Sequence, residues 1–265
     1  MQVGLECIGA VDDYCIGEVL VLAAQSLKLI SEESILNISH LGIINSMLDG
    51  MQLSEGAKQK ILRCIGEKNL HEISAICMEN SADAEDTERL KELVLTYGQP
   101  EKVLPHLKEL GCNENALQQL KLLTDMLSGN GLGKHICIDF SVLSDMKYYN
   151  GIAFKGFVRG VPTSVISGGQ YDKLLKRMGK TGHAVGFAAY LDLLQRLDRS
   201  DRRYDIDTVL LYDENTDPLR LNTAVRQLLS GGISVMAQKA VPEKIKYRQL
   251  AKLTESGVTI LEVDA

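Results

Sequence analysis

Between Leu53 and Ser128 apolar residues recur every three or four positions, whereas the stretches on either side alternate every second residue or run apolar for a few residues at a time. The first pattern predicts helices over 54–66, 70–80, 83–97, 101–110 and 114–128, with Leu90, Leu93, Val94 and Tyr97 as one stripe. Gly66, Asn80 with Ser81, Gly98-Gln99-Pro100 and Gly111 break them apart. The second pattern predicts strands over 1–9, 34–39, 136–140 and 152–157. Asp12 and Asp13 open a helix over 16–29 that buries Val19, Leu20, Ala23 and Leu27, and a shorter helix follows over 43–48. A turn over 167–169 and an amphipathic helix from about Val185 complete this part.

The charged stretch 199–205 marks a boundary. Beyond it the pattern predicts a strand over 208–212, a helix over 218–230 with proline in its first turn, a strand over 233–237, a helix over 242–254 and a strand over 258–263. The expected organisation is therefore an α+β core over 1–198, with a helical insertion at about 53–128 between two parts of its sheet. A small, mainly parallel α/β domain follows over 204–265.

Composition narrows the function. The chain has 265 residues, 45% of them hydrophobic, and a formal net charge of −6, enough apolar material for a sizeable core. No lysine or arginine run exceeds the short cluster over 173–177, and basic and acidic side chains nearly balance after Asp201, so a grip on nucleic acid is not expected. The six cysteines form no CysXXCys pair and have no histidine at ligand spacing, which points to buried thiols in a reducing compartment rather than a metal centre. With no signal peptide read at the start, and no apolar run longer than that near 19–24, no membrane partner and a cytoplasmic address are expected. The glycine cluster over 129–133 follows a helix and precedes a strand, the wrong order for a phosphate cradle, and reads as a linker. His40 reads as a structural histidine.

Four short blocks carry the candidate chemistry: Gln2-Val3-Gly4-Leu5-Glu6-Cys7-Ile8-Gly9, Tyr148-Tyr149-Asn150-Gly151, Gly168-Gly169-Gln170-Tyr171-Asp172 and Gly186-Phe187-Ala188. Alternation in the first places Gln2, Gly4 and Glu6 on one face, which taken alone also describes an edge strand with solvated polar positions. Either tyrosine taken alone also describes a core aromatic. In this order the blocks resemble the second half of the catalytic core of histidyl-tRNA synthetases, where a TyrTyrThrGly segment, a GlyGlyGlyArgTyrAsp segment and a GlyPheAla segment follow the strand just after the second class II motif. The resemblance implies a class II aminoacyl-tRNA synthetase-like antiparallel sheet. It also implies a pocket for L-histidine in which Gln2 receives the amino group, Glu6 accepts from the imidazole, and Tyr149 and Tyr171 touch the ligand from opposite walls.

Two departures bear on activity. The family's arginine five residues before the second tyrosine is Ser144 here, and the phosphate-holding arginine of its third motif is Leu193. Neither side chain carries charge to stabilise a phosphoryl transition state; Arg196, one turn on, starts from a different depth. The pattern is similar to the synthetases' non-catalytic paralogue, the regulatory subunit of ATP phosphoribosyltransferase. That resemblance implies no catalytic residues, cofactor or metal, a short-form catalytic subunit as partner, and a homodimer within the complex. A fragment of a divergent synthetase remains the alternative, and a paralogue with another amino-acid ligand a third, because Asn150 and Gln170 are substitutions inside otherwise matching motifs. Motif 1, the dimer helix and the arginine-bearing strand of motif 2 would precede Met1, so an N-terminal truncation with exposed sheet edges is expected, either a fragment of a longer subunit or a natural truncation. The last domain resembles a shortened anticodon-binding domain.

Overall fold

A computed structural model of the chain describes residues 1–142, 149–194 and 204–263. Two compact units are present, Met1–Asp198 and Arg199–Ala265.

The first unit is built on a seven-stranded sheet in the order β1-β7-β6-β5-β2-β4-β3. Its strands are β1 (Gln2–Gly9), β2 (Ser34–His40), β3 (Tyr97–Gly98), β4 (Ile136–Asp139), β5 (Ile152–Val158), β6 (Ile166–Gln170) and β7 (His183–Tyr190). All neighbours are antiparallel except β2 and β4. Because side chains alternate along a strand, the register sorts the sheet into two faces. One carries a row of Leu5, Phe187, Gly168, Phe154, Ile38, Ile138 and Gly98 across all seven strands. The other carries Glu6, Gly186, Gly169, Ala153 and Ser39 across five.

Helix α1 (Asp13–Ile30) covers the apolar face. Asp12 caps it by accepting from Cys15 N at 2.9 Å, and its buried side includes Val19, Leu20, Ala23 and Leu27. Leu27 packs so closely over Gly156 of β5 that a Cβ there would meet Leu27 Cδ2 at 2.8 Å. Between β2 and β4 run α2 (Leu41–Gly50), α3 (Glu55–Glu67), α4 (Leu70–Glu79), α5 (Ala84–Leu95), α6 (Pro100–Glu109) and α7 (Glu114–Gly129). Ser54, Asn69, Asp83 and Asn113 each cap the following helix through a side-chain oxygen, which satisfies backbone N–H groups that a helix start leaves open. His40 is structural: buried, it accepts from Gly42 N at 3.0 Å through Nδ1, so the other nitrogen donates to Gln119 Oε1 at 2.7 Å.

Three local expectations are corrected in this unit. The helix expected over 83–97 ends at Leu95, and Tyr97–Gly98 instead pair with β4 as an edge strand, leaving Tyr97 53% exposed. The expected turn over 167–169 is the middle of β6, and the helix expected from Val185 is β7. Both misreadings come from glycine, which has no side chain, and alanine, whose methyl group is small and unbranched, so neither marks a period-two pattern clearly. Val185, Phe187 and Ala189 do alternate inward, and they are buried. Gly168 must be bare because Phe154 and Phe187 meet across it, their ring centroids 6.4 Å apart.

The second unit holds β8 (Ile206–Leu211), α10 (Pro218–Ser230), β9 (Val235–Gln238), β10 (Tyr247–Thr254) and β11 (Gly257–Val263), the short α8 (Asp172–Arg177) and α9 (Leu191–Leu194) belonging to the first. Strand order is β11-β10-β8-β9, with β8 parallel to both neighbours and β10 antiparallel to β11. The helix expected over 242–254 is thus strand β10. Ala251 and Leu253, two residues apart, join Leu210 and Ala224 in one apolar cluster, a period-two arrangement that a helix would split.

Candidate functional site

Three of the four residues singled out in the sequence converge on the polar face of the first sheet. Glu6 of β1 lies directly opposite Gly186 of β7, and Gly186 opposite Gly169 of β6. A Cβ on Gly186 would collide with the Glu6 carboxylate, and one on Gly169 would come within 2.6 Å of Tyr149 Cδ1. Glu6 and Tyr149 therefore lie side by side over two adjacent positions that have no side chain. Tyr171, directly after β6, donates its hydroxyl to Glu6 Oε2. Burial, then the bond to Glu6, pushes the Tyr171 hydroxyl well above the usual tyrosine range, so it acts as a donor at neutral pH.

Gln2 shares this face but stands apart from the cluster. It pairs with Tyr190 at the other end of β1, four residues from Glu6, about 13 Å along a strand. Gly4 between them adds no side chain, and a Cβ there would meet Phe187 O at 2.8 Å. The strip from Gln2 to Glu6 is thus long enough for one amino acid lying along it, with polar groups at both ends. Gln2, Gly4 and Glu6 are all exposed, and β1 is an edge strand among the described residues, as the edge-strand description of residues 1–9 has it.

Ser144, Tyr148 and Arg196 lie outside the described residues. Leu193 is half-buried on α9 and packs against the main hydrophobic cluster. Among the described residues no three His, Cys, Asp or Glu side chains are grouped to hold a metal ion, and no helix is long and apolar enough to cross a membrane. A cavity of about 600 Å³ lined by Glu33, Lys134, His135, Phe157 and Arg159 shares no residue with the site.

Sequence reasoning missed Asp172 as a member of the site. It is buried, and its carboxylate accepts from Asn150 Nδ2 at 3.0 Å, Gln170 Nε2 at 3.0 Å, His183 Nδ1 at 2.9 Å and Ala184 N at 3.0 Å. Burial works to raise its pKa, but the bonds from His183, Ala184 and Asn150 outweigh that and hold the carboxyl below its usual range. The available signal was its position closing the Gly168–Asp172 block.

A mostly antiparallel sheet with one face packed by helices, and an acid-tyrosine pair on the other over a glycine floor, defines a class II aminoacyl-tRNA synthetase-like core. The family model described as histidyl-tRNA synthetase matches residues 1–194, and the chain belongs to that family. Among curated proteins it is 31% identical over 199 residues to an ATP phosphoribosyltransferase regulatory subunit of Alkaliphilus metalliredigens, covering 74% of this chain and 50% of the relative. It is 27% identical to the protein of that name from Acetivibrio thermocellus, covering 80% and 53%. The chain thus spans about half the length of the curated relatives it matches. Solved structures share the fold. A regulatory subunit/histidyl-tRNA synthetase from Bacillus halodurans C has a TM-score of 0.68 at 24% identity, covering 89% of this chain and 62% of that one. The ATP phosphoribosyl transferase (HisG:HisZ) complex from Thermotoga maritima has a TM-score of 0.59 at 21% identity, covering 72% and 65%.

Proposed function

We propose that this chain is the amino-acid-binding core of a regulatory subunit of ATP phosphoribosyltransferase in histidine biosynthesis. It binds L-histidine between Gln2, Glu6, Tyr149 and Tyr171, catalyses no reaction itself, and assembles with the short-form catalytic subunit as a homodimer within the complex. It works in the cytoplasm, without nucleic acid.

The observation that carries this reading is a divided site. The acid-tyrosine pair is assembled over its bare floor, while Leu193, where the resemblance places a phosphate-holding arginine, is half-buried and packs its apolar side chain against the core. An apolar side chain cannot stabilise charge developing on a transferred phosphoryl group, a contribution worth about 3 kcal/mol per donor. A site that recognises histidine without activating it suits a sensor, and the curated relatives bear the matching name.

Histidine-dependent exchange of pyrophosphate into ATP should stay at background, and the protein should co-purify with a short-form catalytic subunit. Exchange above background would instead favour a divergent synthetase.

A further inference from the structure

Asn150 and Gln170, the two substitutions inside the matching motifs, do not compete for a ligand. Both side-chain amides donate to one oxygen, Asp172 Oδ2, and His183 Nδ1 donates to the same atom. Gly151 is bare because the Gln170 side chain lies across it on the way to Asp172. Each partner belongs to a segment bearing a wall of the site. Asn150 follows Tyr149, and its N–H donates to Gln170 O at 2.9 Å; Tyr171 lies between Gln170 and Asp172, and its N–H donates to Ala184 O at 2.8 Å.

We propose that Asp172 is the positioning residue of the amino-acid site, a buried carboxylate that clamps the entry to β5, the end of β6 and the start of β7 so that Tyr149 and Tyr171 stand against Glu6. One oxygen accepting from three donors requires a carboxylate, because an amide in its place turns an N–H₂ toward donors or leaves some unpaired. The inference rests on the histidine-site reading for its ligand but not for its geometry. Ordering these walls before a ligand arrives is how such a clamp raises affinity.

The test is Asp172→Asn, read in two ways. The chain has nine tyrosines and no tryptophan, so tyrosinate absorption against pH is readable, and subtracting the Tyr171→Phe titration isolates Tyr171. In folded Asp172→Asn, Tyr171 should detach from Glu6 and titrate closer to an ordinary tyrosine, while L-histidine binds about tenfold or more weakly. A folded variant whose Tyr171 titration is unchanged overturns the proposal, whatever its histidine affinity. If the wild type binds no histidine but the Tyr171 titration moves, the clamp stands and the histidine reading falls. Should Asp172→Asn not fold, Gln170→Met removes one donor at similar volume. A partial downward move of Tyr171 then supports the clamp, and no move overturns it.

Discussion

On the helix-packed face of the first sheet the row Leu5, Phe187, Gly168, Phe154, Ile38 and Ile138 is mostly apolar side chain, whereas the row one residue along is Glu6, Gly186, Gly169, Ala153 and Ser39. The same strands build both. The first row is filled, and even its glycine is closed over by two phenylalanines. The second is stripped to backbone wherever Glu6 and Tyr149 need room. One face is made by what the side chains add, and the other by what their absence leaves.

The largest expected effect comes from emptying the filled face. Phe154→Ala should cost about 3–5 kcal/mol in stability, as for a buried aromatic truncated to alanine, measured by denaturant unfolding. Molecules still folded should keep the Glu6–Tyr171 pair. Filling the stripped face is the converse. Gly186→Ala puts a methyl group where the Glu6 carboxylate lies and within reach of Leu5 O. It should cost about 1–3 kcal/mol from overpacking and displace Glu6, so histidine titrations should show binding lost even where circular dichroism shows the fold kept.

A third effect separates the clamp from both faces. Asp172 has a folded pKa below its unfolded value of about 3.9. Its stabilisation is present above that value and lost as pH falls through the lower folded one. Melting temperature should therefore fall more steeply below about pH 4 in the wild type than in Asp172→Asn; parallel curves would mean that the carboxylate contributes nothing. The smallest effect lies at the far end of the stripped row. Ser39 is fully buried and its hydroxyl has no hydrogen-bond partner among the described residues. Ser39→Ala should leave stability unchanged or raise it by up to about 1 kcal/mol, since it removes an unsatisfied polar group; a clear loss in the same unfolding assay would mean that the hydroxyl is bonded in solution.

The difference between the faces also decided what the sequence revealed. The buried side of α1 and the helices of the insertion were legible because Val19, Leu20, Leu90 and Leu93 recur at helical spacing and are buried. β6 and β7 were not, because Gly168, Gly169, Gly186, Ala188 and Ala189 carry too little side chain to show a period. Their strand character is set by partners on both sides, a tertiary effect that no local window contains. β10 was misread for a related reason, since Leu250, Ala251 and Leu253 satisfy a period of two or of 3.6. Within the candidate site, the motifs named Glu6, Tyr149 and Tyr171, and the structure brings these three together on one face of the sheet. They did not expose Asp172, whose role appears only when Asn150, Gln170 and the adjacent His183 and Ala184 are brought to it from three segments of the chain.

The central claim is that the stripped face is a working histidine pocket. Calorimetric titration of L-histidine into the wild type and Glu6→Ala, side by side, tests it most directly. Glu6 is exposed and faces away from the core, so its removal should leave the fold intact. The variant should bind more weakly by about 2 to 3 kcal/mol, the value of a hydrogen bond to a charged group. Equal affinity in the two proteins would contradict the claim and place any histidine response elsewhere.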